Sequence, residues 1–154
     1  MQAILFAESF NNKFKPMSCD RAKCLFPLAN VPLLLYSLEL LAVNNVNHVI
    51  LVSTKDSRVF RPVIDTIKNA HSNKVNKLLI TPFKLDSAKS VAAALREIQQ
   101  SQSQVKLKDD FIMMQGDVVT NANLKEAIDM HFASKKKGAG NSEGASNILT
   151  KIFA

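Results

Sequence analysis

The chain has 154 residues, with 20 Lys or Arg against 13 Asp or Glu, so its formal net charge is +7. Hydrophobic residues make up 47% and charged residues 21% of the sequence, which argues against a disordered segment and indicates one core-forming domain over 1–154. The longest apolar run, 31–36, is far shorter than the ~18 residues of a membrane span, and Glu8 comes too early for a signal peptide, so we expect a cytoplasmic protein.

Short, continuous apolar runs recur along the chain and are typical of strands buried on both faces of a parallel sheet. Between them apolar residues recur at helical spacing, and Asn123 with Glu126 forms the Asn-x-x-Glu pattern that opens a helix. Pro62 is tolerated in its helix only within the first turn, and Pro82 is expected to close its strand. The predicted elements, in chain order, are a strand at 2–7, a long loop at 8–23, a helix from 31 until Asn44, a strand at 48–53, a helix at 58–70, a strand at 77–81, a helix at 87–100, a strand at 111–115, a helix from 123 to about 132, a flexible Lys/Gly/Ser loop at 134–147 and a strand at 148–153.

The alternation of strands and helices predicts a Rossmann-like α/β fold, with a mostly parallel sheet and helices on both faces. Ligands of such sheets bind outside the carboxyl ends of the strands. The loop at 8–23 follows the first strand, and Gly116-Asp117 follows the strand at 111–115. We therefore expect both segments at the same end of the sheet.

The loop after the first strand contains no glycine, because all four glycines lie at 116, 138, 140 and 144. A phosphate cradle needs backbone N–H groups that approach the anion closely, often in conformations that other residues resist. Glu8 also places a negative charge where a phosphate would enter. Both features argue against an intact nucleotide-phosphate site.

Other candidate chemistry has little support in the sequence. Cys19 and Cys24 lack the further ligands of a zinc site and are expected to be free thiols, and the three histidines share no metal-ligand spacing. No Ser/His/Asp pattern supports nucleophilic catalysis. The basic residues are dispersed without interleaved aromatics, so nucleic-acid binding is a weak hypothesis that a salt titration would test.

Residues 22–28, Ala-Lys-Cys-Leu-Phe-Pro-Leu, resemble the Pro-Lys-x-Leu-x-Pro-Val element of nucleotidyltransferases, the enzymes that make nucleotide sugars. Gly116-Asp117 resembles the metal-binding Gly-Asp of the same family. The chain also departs from the family pattern. Residues 9–13 read Ser-Phe-Asn-Asn-Lys where the family has Gly-x-Gly-x-Arg, Ala22 replaces the proline, and Asp86-Ser87 replaces a Gly-Thr pair.

Residues 24–34, with Tyr36-Ser37-Leu38-Glu39 after them, more strongly resemble a non-catalytic branch of that family. This branch is the epsilon subunits of the eukaryotic guanine-nucleotide exchange factor for translation initiation factor two, and residues 111–121 fit the same group. The resemblance implies an incomplete nucleotidyltransferase-like domain that is not an enzyme, needs no cofactor and acts as a scaffold. Its implied partners are the gamma-type subunit and initiation factor two, with exchange activity located outside this chain.

The resemblance implies a degenerate nucleotide-binding site at Lys13, Lys23 and Asp117, with no catalytic residue and no metal ligand. An alternative is a divergent sugar-phosphate nucleotidyltransferase, in which Lys13 and Lys23 hold a nucleoside triphosphate and Asp117 holds Mg²⁺. The surface that meets a partner and the role of the loop at 134–147 stay open.

Overall fold

A computed structural model describes residues 1–8, 10, 14–69, 75, 77–86, 88–101, 105–107 and 110–138. The chain divides into two compact units, Met1–Val119 and Thr120–Ala154. The expectation of one domain across 1–154 stays a prediction. Among the described residues, no helix has both the length and the apolar character needed to cross a bilayer.

Apart from the short strands β2 (Pro27–Leu28) and β3 (Val31–Pro32), which the sequence did not predict, the described elements alternate between strands and helices as expected. Two short 3₁₀ turns, Lys23–Leu25 and Ser57–Phe60, add to the regular elements. In chain order the regular elements are β1 (Gln2–Phe6), α1 (Met17–Asp20), β2 (Pro27–Leu28), β3 (Val31–Pro32), α2 (Leu33–Val43), β4 (His48–Ser53), α3 (Arg61–Lys68), β5 (Leu79–Lys84), α4 (Val91–Gln100), β6 (Phe111–Gln115) and α5 (Leu124–Gly138).

The main sheet has four parallel strands in the order β5-β4-β1-β6, which confirms the predicted α/β fold with a mostly parallel sheet. A separate antiparallel pair joins β2 and β3. The inner strands β1 and β4 are buried along almost their whole length. Their continuous apolar sequences follow from this position, because both faces of an inner parallel strand are covered.

Alternate strand residues supply the two faces of the sheet. Ile4 and Ile50 belong to a buried cluster on one face that includes Ile98 of α4. On the opposite face Leu51 lies beside Phe60, which is buried in the 3₁₀ turn before α3. Helical segments therefore cover the sheet on both sides, as predicted.

Pro82 lies inside β5, so the prediction that it closes this strand is wrong. The strand is at the edge of the sheet, and Leu79 and Leu85 donate their backbone N–H groups to Asn47 and Ser53 at 3.0 and 2.8 Å. Successive residues point their N–H groups to opposite sides of a strand, so position 82 faces away from β4. A proline there removes no hydrogen bond from the ladder.

Three predicted helices begin later than expected. The first, α2, begins at Leu33 and not at 31, because Val31 and Pro32 form β3. Ser90 caps α4 by accepting the Ala93 N–H at 3.2 Å, so this helix begins at Val91, while residue 87 lies outside the described residues. The 3₁₀ turn at Ser57–Phe60 precedes α3, which begins at Arg61. Pro62 consequently lies in the first turn of α3, the position expected for it.

Asn123 caps α5, as the Asn-x-x-Glu pattern predicts. Its Oδ1 accepts the Lys125 N–H at 3.2 Å, and its Nδ2 donates to Glu126 Oε1 at 3.1 Å. The helix continues to Gly138, so both its predicted end near 132 and the start of the predicted loop at 134 are wrong. Alanine and lysine favour the helical state, which accounts for the extension. Residues 139–147 and the predicted strand at 148–153 lie outside the described residues.

Candidate functional site

The carboxyl ends of β1, β4 and β6 hold most of the residues that the sequence singled out. Gly116 follows β6 and donates its N–H to the carbonyl oxygen of Phe6 at 2.8 Å, which continues the pairing with β1 by one residue. A Cβ atom at position 116 would lie 3.1 Å from that oxygen and 3.0 Å from Cδ1 of Leu34. A side chain here would crowd both atoms, so the close approach favours glycine, and Asp117 follows just beyond the end of the sheet.

The predicted loop at 8–23 contains regular structure and brings Lys23 to Asp117. Helix α1 lies within it, and the 3₁₀ turn that follows begins at Lys23 and buries Cys24 and Leu25. The expectation of a loop without regular structure is therefore wrong here. These two buried side chains anchor the turn against the domain and fix the direction in which the lysine side chain leaves the backbone.

Lys23 and Asp117 form a largely buried ion pair. The Lys23 Nζ lies 2.7 Å from Oδ2 of Asp117, and the two side chains are 21% and 9% exposed. The same ammonium group lies 4.2 Å from the centre of the Phe14 ring, a cation–π contact on its other side. The positive charge of the lysine thus compensates the carboxylate within the protein.

A second set of polar contacts links the loop after β1 to the end of β4. The Ser53 hydroxyl donates to Glu8 Oε1 at 3.3 Å and accepts the backbone N–H of Lys55 at 2.9 Å. The Lys55 ammonium group donates to the carbonyl oxygen of Cys19 at 2.8 Å. These contacts hold the segment around α1 against β4.

Cys24 lies beneath this site and is held in its neutral form. Burial, followed by the negative charges of Asp117 and Glu8, raises the pKa of the Cys24 thiol to about 12. Cys19 is exposed, and both cysteines are free thiols, as the sequence predicts. The two thiols should therefore differ in reactivity, since the thiolate is the nucleophile.

We expect one of the two thiols to react quickly with Ellman's reagent at pH 8 in the folded protein. The exposed Cys19 should react, whereas the buried and protonated Cys24 should react only after denaturation. A Cys19→Ser variant should lose the fast reaction. Two fast thiols in the folded wild-type chain would contradict this assignment.

The raised pKa of Cys24 also makes stability depend on pH in the alkaline range. Between about 9, where the unfolded thiol ionises, and about 12, the folded state keeps a proton that the unfolded state has lost. Stability therefore falls as pH rises, by up to about 1.4 kcal/mol per unit in this window. Urea unfolding at pH 8, 9 and 10 should show a steeper loss for wild type than for Cys24→Ala. Equal slopes would contradict the expected ionisation.

The residues at this end of the sheet do not fit a bound Mg²⁺–nucleotide. Mg²⁺ is usually held by one or two carboxylates together with phosphates, but the Asp117 carboxylate is taken by Lys23. No cluster of three or more His, Cys, Asp or Glu side chains suited to a metal occurs in the part of the chain that the structure describes. The sequence from 8 to 22 also contains no glycine, the residue that phosphate cradles usually need.

The structure brings together two of the three residues predicted for a degenerate nucleotide site, Lys23 and Asp117. The third, Lys13, lies outside the described residues. The sequence did not indicate the cation–π contact between Lys23 and the ring of Phe14, or the hydrogen bond between Ser53 and Glu8. The only sequence signal for the latter pair was that both residues lie at the carboxyl ends of predicted strands.

Comparison with known proteins gives a family and a fold. The family model described as nucleotidyl transferase matches residues 3–146. Among solved structures, a UDP-glucose pyrophosphorylase complexed with UDP-glucose has a TM-score of 0.66 at 14% identity, over 87% of this chain and 54% of that one. HddC from Yersinia pseudotuberculosis has a TM-score of 0.62 at 21% identity, over 84% of this chain and 53% of that one. These two similarities show a shared fold.

Two relatives carry the name translation initiation factor eIF2B subunit epsilon. The protein of Schizosaccharomyces pombe is 35% identical over 136 residues, which cover 85% of this chain and 19% of the relative. The protein of Dictyostelium discoideum is 30% identical over 153 residues, which cover 99% of this chain and 20% of the relative. The chain thus spans about a fifth of the length of these relatives.

Proposed function

The chain belongs to the nucleotidyl transferase family, and from this premise we propose that it is a non-catalytic, scaffolding domain of a translation initiation exchange-factor subunit. The single observation that carries the proposal is the ion pair between Lys23 and Asp117. It joins the lysine of the family's Pro-Lys motif to the aspartate of its Gly-Asp motif. Each charge is satisfied by the other rather than held ready for a ligand.

The electrostatics around Asp117 support the loss of catalysis. Its carboxylate is 9% exposed and lies 2.7 Å from an ammonium group, so a metal ion would have to displace Lys23 before it could bind. Removing one partner of a buried pair leaves the other charge uncompensated, which is costly. Glu8 adds a second negative charge that acts on Cys24, as Asp117 does, and a negative charge there disfavours an incoming phosphate. We therefore propose that the domain uses no cofactor.

The relatives support the biological setting of this proposal. Both relatives are named as a translation initiation factor subunit, and they are 35% and 30% identical to this chain. We propose that the chain acts in the cytoplasm through contacts with a gamma-type subunit of the same exchange factor and with initiation factor two. Because the chain spans about a fifth of these relatives, the exchange activity is assigned to a segment outside it.

Partner binding tests the scaffolding proposal. The folded chain is immobilised and exposed to purified gamma-type subunit and, separately, to initiation factor two, with a nucleotidyl transferase family enzyme of the same fold as the control bait. We expect the gamma-type subunit to bind this chain and not the control. Absence of binding to both partners, with the chain shown to be folded by circular dichroism, would refute the scaffolding proposal.

A divergent sugar-phosphate nucleotidyltransferase is the second candidate, because Lys23 and Asp117 do converge at the carboxyl end of the sheet. In this alternative Lys23 would leave Asp117 to contact a phosphate, and Lys13 would assist it. Release of pyrophosphate from a nucleoside triphosphate and a sugar phosphate, lost in Asp117→Asn, would establish the alternative.

A further inference from the structure

A hydrogen-bond network crosses the amino-terminal end of the main sheet, opposite to the candidate site. Nε2 of Gln2 in β1 donates to the carbonyl oxygen of Lys106 at 3.2 Å and lies 3.1 Å from Nδ1 of His48 in β4. The other ring nitrogen of His48, Nε2, lies 2.8 Å from the hydroxyl oxygen of Thr81 in β5. The network therefore links three strands to the segment that precedes β6.

The Gln2 amide lies at the end of the buried apolar cluster that α4 covers. Gln2 is two residues before Ile4 of that cluster, so the two side chains share one face of the sheet. Val105 belongs to the same cluster, and the bond from Gln2 to Lys106 holds the segment at 105–107 against it. Because Gln2 is only 1% exposed, water cannot readily replace a hydrogen bond that its amide loses.

The contacts determine where the His48 ring carries its proton. The carbonyl oxygen of Lys106 can only accept a hydrogen bond, so the Gln2 atom that faces it must be the amide nitrogen, which is a donor. Nδ1 of His48 faces the same donor and must therefore accept. A neutral imidazole then carries its proton on Nε2, which donates to the Thr81 hydroxyl.

A proton added to Nδ1 of His48 is incompatible with this network. The protonated Nδ1 and the Gln2 amide nitrogen would be two donors that face each other. Rotation of the Gln2 amide presents its oxygen to Nδ1, but the same rotation removes the donor from the Lys106 carbonyl. The Gln2 amide can therefore satisfy Lys106 or a protonated His48, but not both.

We propose that Gln2 and His48 form a pH-sensitive latch, in which protonation of His48 turns the Gln2 amide and releases the segment at 105–107 from the sheet. The His48 ring is half-buried, so a proton can reach it from water. In an unfolded chain histidine takes up a proton near pH 6.5. The folded chain resists that proton, because the closed latch needs Nδ1 as an acceptor. Stability therefore falls as the pH falls below about 6.5.

The charged groups around this end of the sheet also resist a positive charge on His48. Gln2 and Thr81, which contact the ring, are uncharged. The described charged groups on the neighbouring segments are the amino group of Met1, Lys77 before β5, Lys106, and Asp110 before β6. Three of these four are positive, so together they disfavour the protonated ring.

Urea unfolding between pH 7.5 and 5.5 measures the cost of protonation. We expect the folding equilibrium constant of the wild type to fall by up to about tenfold per pH unit below about 6.5, relative to His48→Asn. The asparagine oxygen can accept from Gln2 as Nδ1 does, but it takes up no proton. His131→Asn, the matched substitution at a histidine of α5, should keep the loss seen in the wild type.

Gln2→Glu separates the latch from the simple burial of a histidine. A carboxylate at position 2 accepts from a protonated Nδ1, so it favours the charged ring. The stability of this variant should therefore rise as the pH falls from about 7.5 to about 6, which is the reverse of the wild type. A fall like that of the wild type would overturn the proposal.

NMR of the unmodified chain tests the latch without any variant that could fail to fold. At pH 7.5 the ring nitrogen shifts of His48 should show a neutral imidazole protonated on Nε2, and a proton on Nδ1 would overturn the proposal. At pH 5.5 the amide of Val105, which donates to Ser101 at 3.3 Å, should lose about tenfold of its protection from hydrogen exchange, after correction for intrinsic rates. The amide of Ala94 in α4 should keep its protection. Equal protection of Val105 at both pH values, or a loss of stability in acid that His48→Asn retains in full, would also overturn the proposal.

Discussion

Truncation of Leu34 to alanine is expected to lower the free energy of unfolding by about 2–5 kcal/mol, the usual cost of emptying a well-packed leucine site. Leu34 has no exposed surface, and its Cδ1 fills the space beside Gly116. The loss is a large part of the 5–15 kcal/mol that stabilises a typical domain. Urea unfolding monitored by circular dichroism measures it.

Val43→Ala provides the matched control for this substitution. Val43 lies on the same helix, α2, but is 58% exposed, so its truncation should change stability by less than about 0.5 kcal/mol. A Leu34→Ala variant as stable as Val43→Ala would show that the side chain of Leu34 is not packed as the structure places it. The position of the Gly116-Asp117 turn would then lose its support.

Removal of either partner of the Lys23–Asp117 ion pair is also expected to lower the free energy of unfolding substantially. Lys23→Met leaves the Asp117 carboxylate without its counter-charge. Asp117→Leu leaves the Lys23 ammonium group without its counter-charge. A fully buried pair would cost about 3–5 kcal/mol, and the partial exposure of Lys23 reduces this to roughly 1–3 kcal/mol for each single variant. Chemical unfolding at neutral pH and moderate ionic strength measures both.

The double variant Lys23→Met/Asp117→Leu separates the ion pair from ordinary packing. Since neither charge is then left alone, it should recover most of the stability lost in the single variants, with a coupling energy of about 0.5–3 kcal/mol. Arg58→Met/Asp56→Leu is the control, because this pair is exposed to solvent and its coupling energy should be much smaller. Additive losses at Lys23 and Asp117 would contradict internal charge compensation.

The bounds of two strands could be predicted closely from the sequence. The runs at 48–53 and 111–115 match β4 and β6 residue for residue, because an inner or half-covered parallel strand has a continuous apolar sequence. The error at Pro82 has a different origin. Local sequence does not show which strand lies at the edge of the sheet, and only an edge position tolerates proline within a strand.

The site could be predicted in outline and not in detail. Parallel strands place their carboxyl ends together, so the proximity of the segment containing Lys23 to Asp117 follows from topology. The 2.7 Å contact between them depends on the 3₁₀ turn that buries Cys24 and Leu25, and a polar loop sequence does not reveal such a turn. The contact between Phe14 and Lys23 could not be predicted either, because the two residues lie in one loop and their spacing follows no regular pattern.

The central claim is that the Lys23–Asp117 pair has replaced a nucleotide site, and thermal unfolding with Mg²⁺, nucleoside triphosphates and sugar 1-phosphates tests it most directly. A ligand at ~100 times its Kd stabilises a protein by about 2.7 kcal/mol, or roughly 5–10 °C for a domain of this size. We expect no shift and no release of pyrophosphate, while a UDP-glucose pyrophosphorylase shows both. A Mg²⁺-dependent shift with pyrophosphate release, both lost in Asp117→Asn, would contradict the claim and establish a working nucleotidyltransferase.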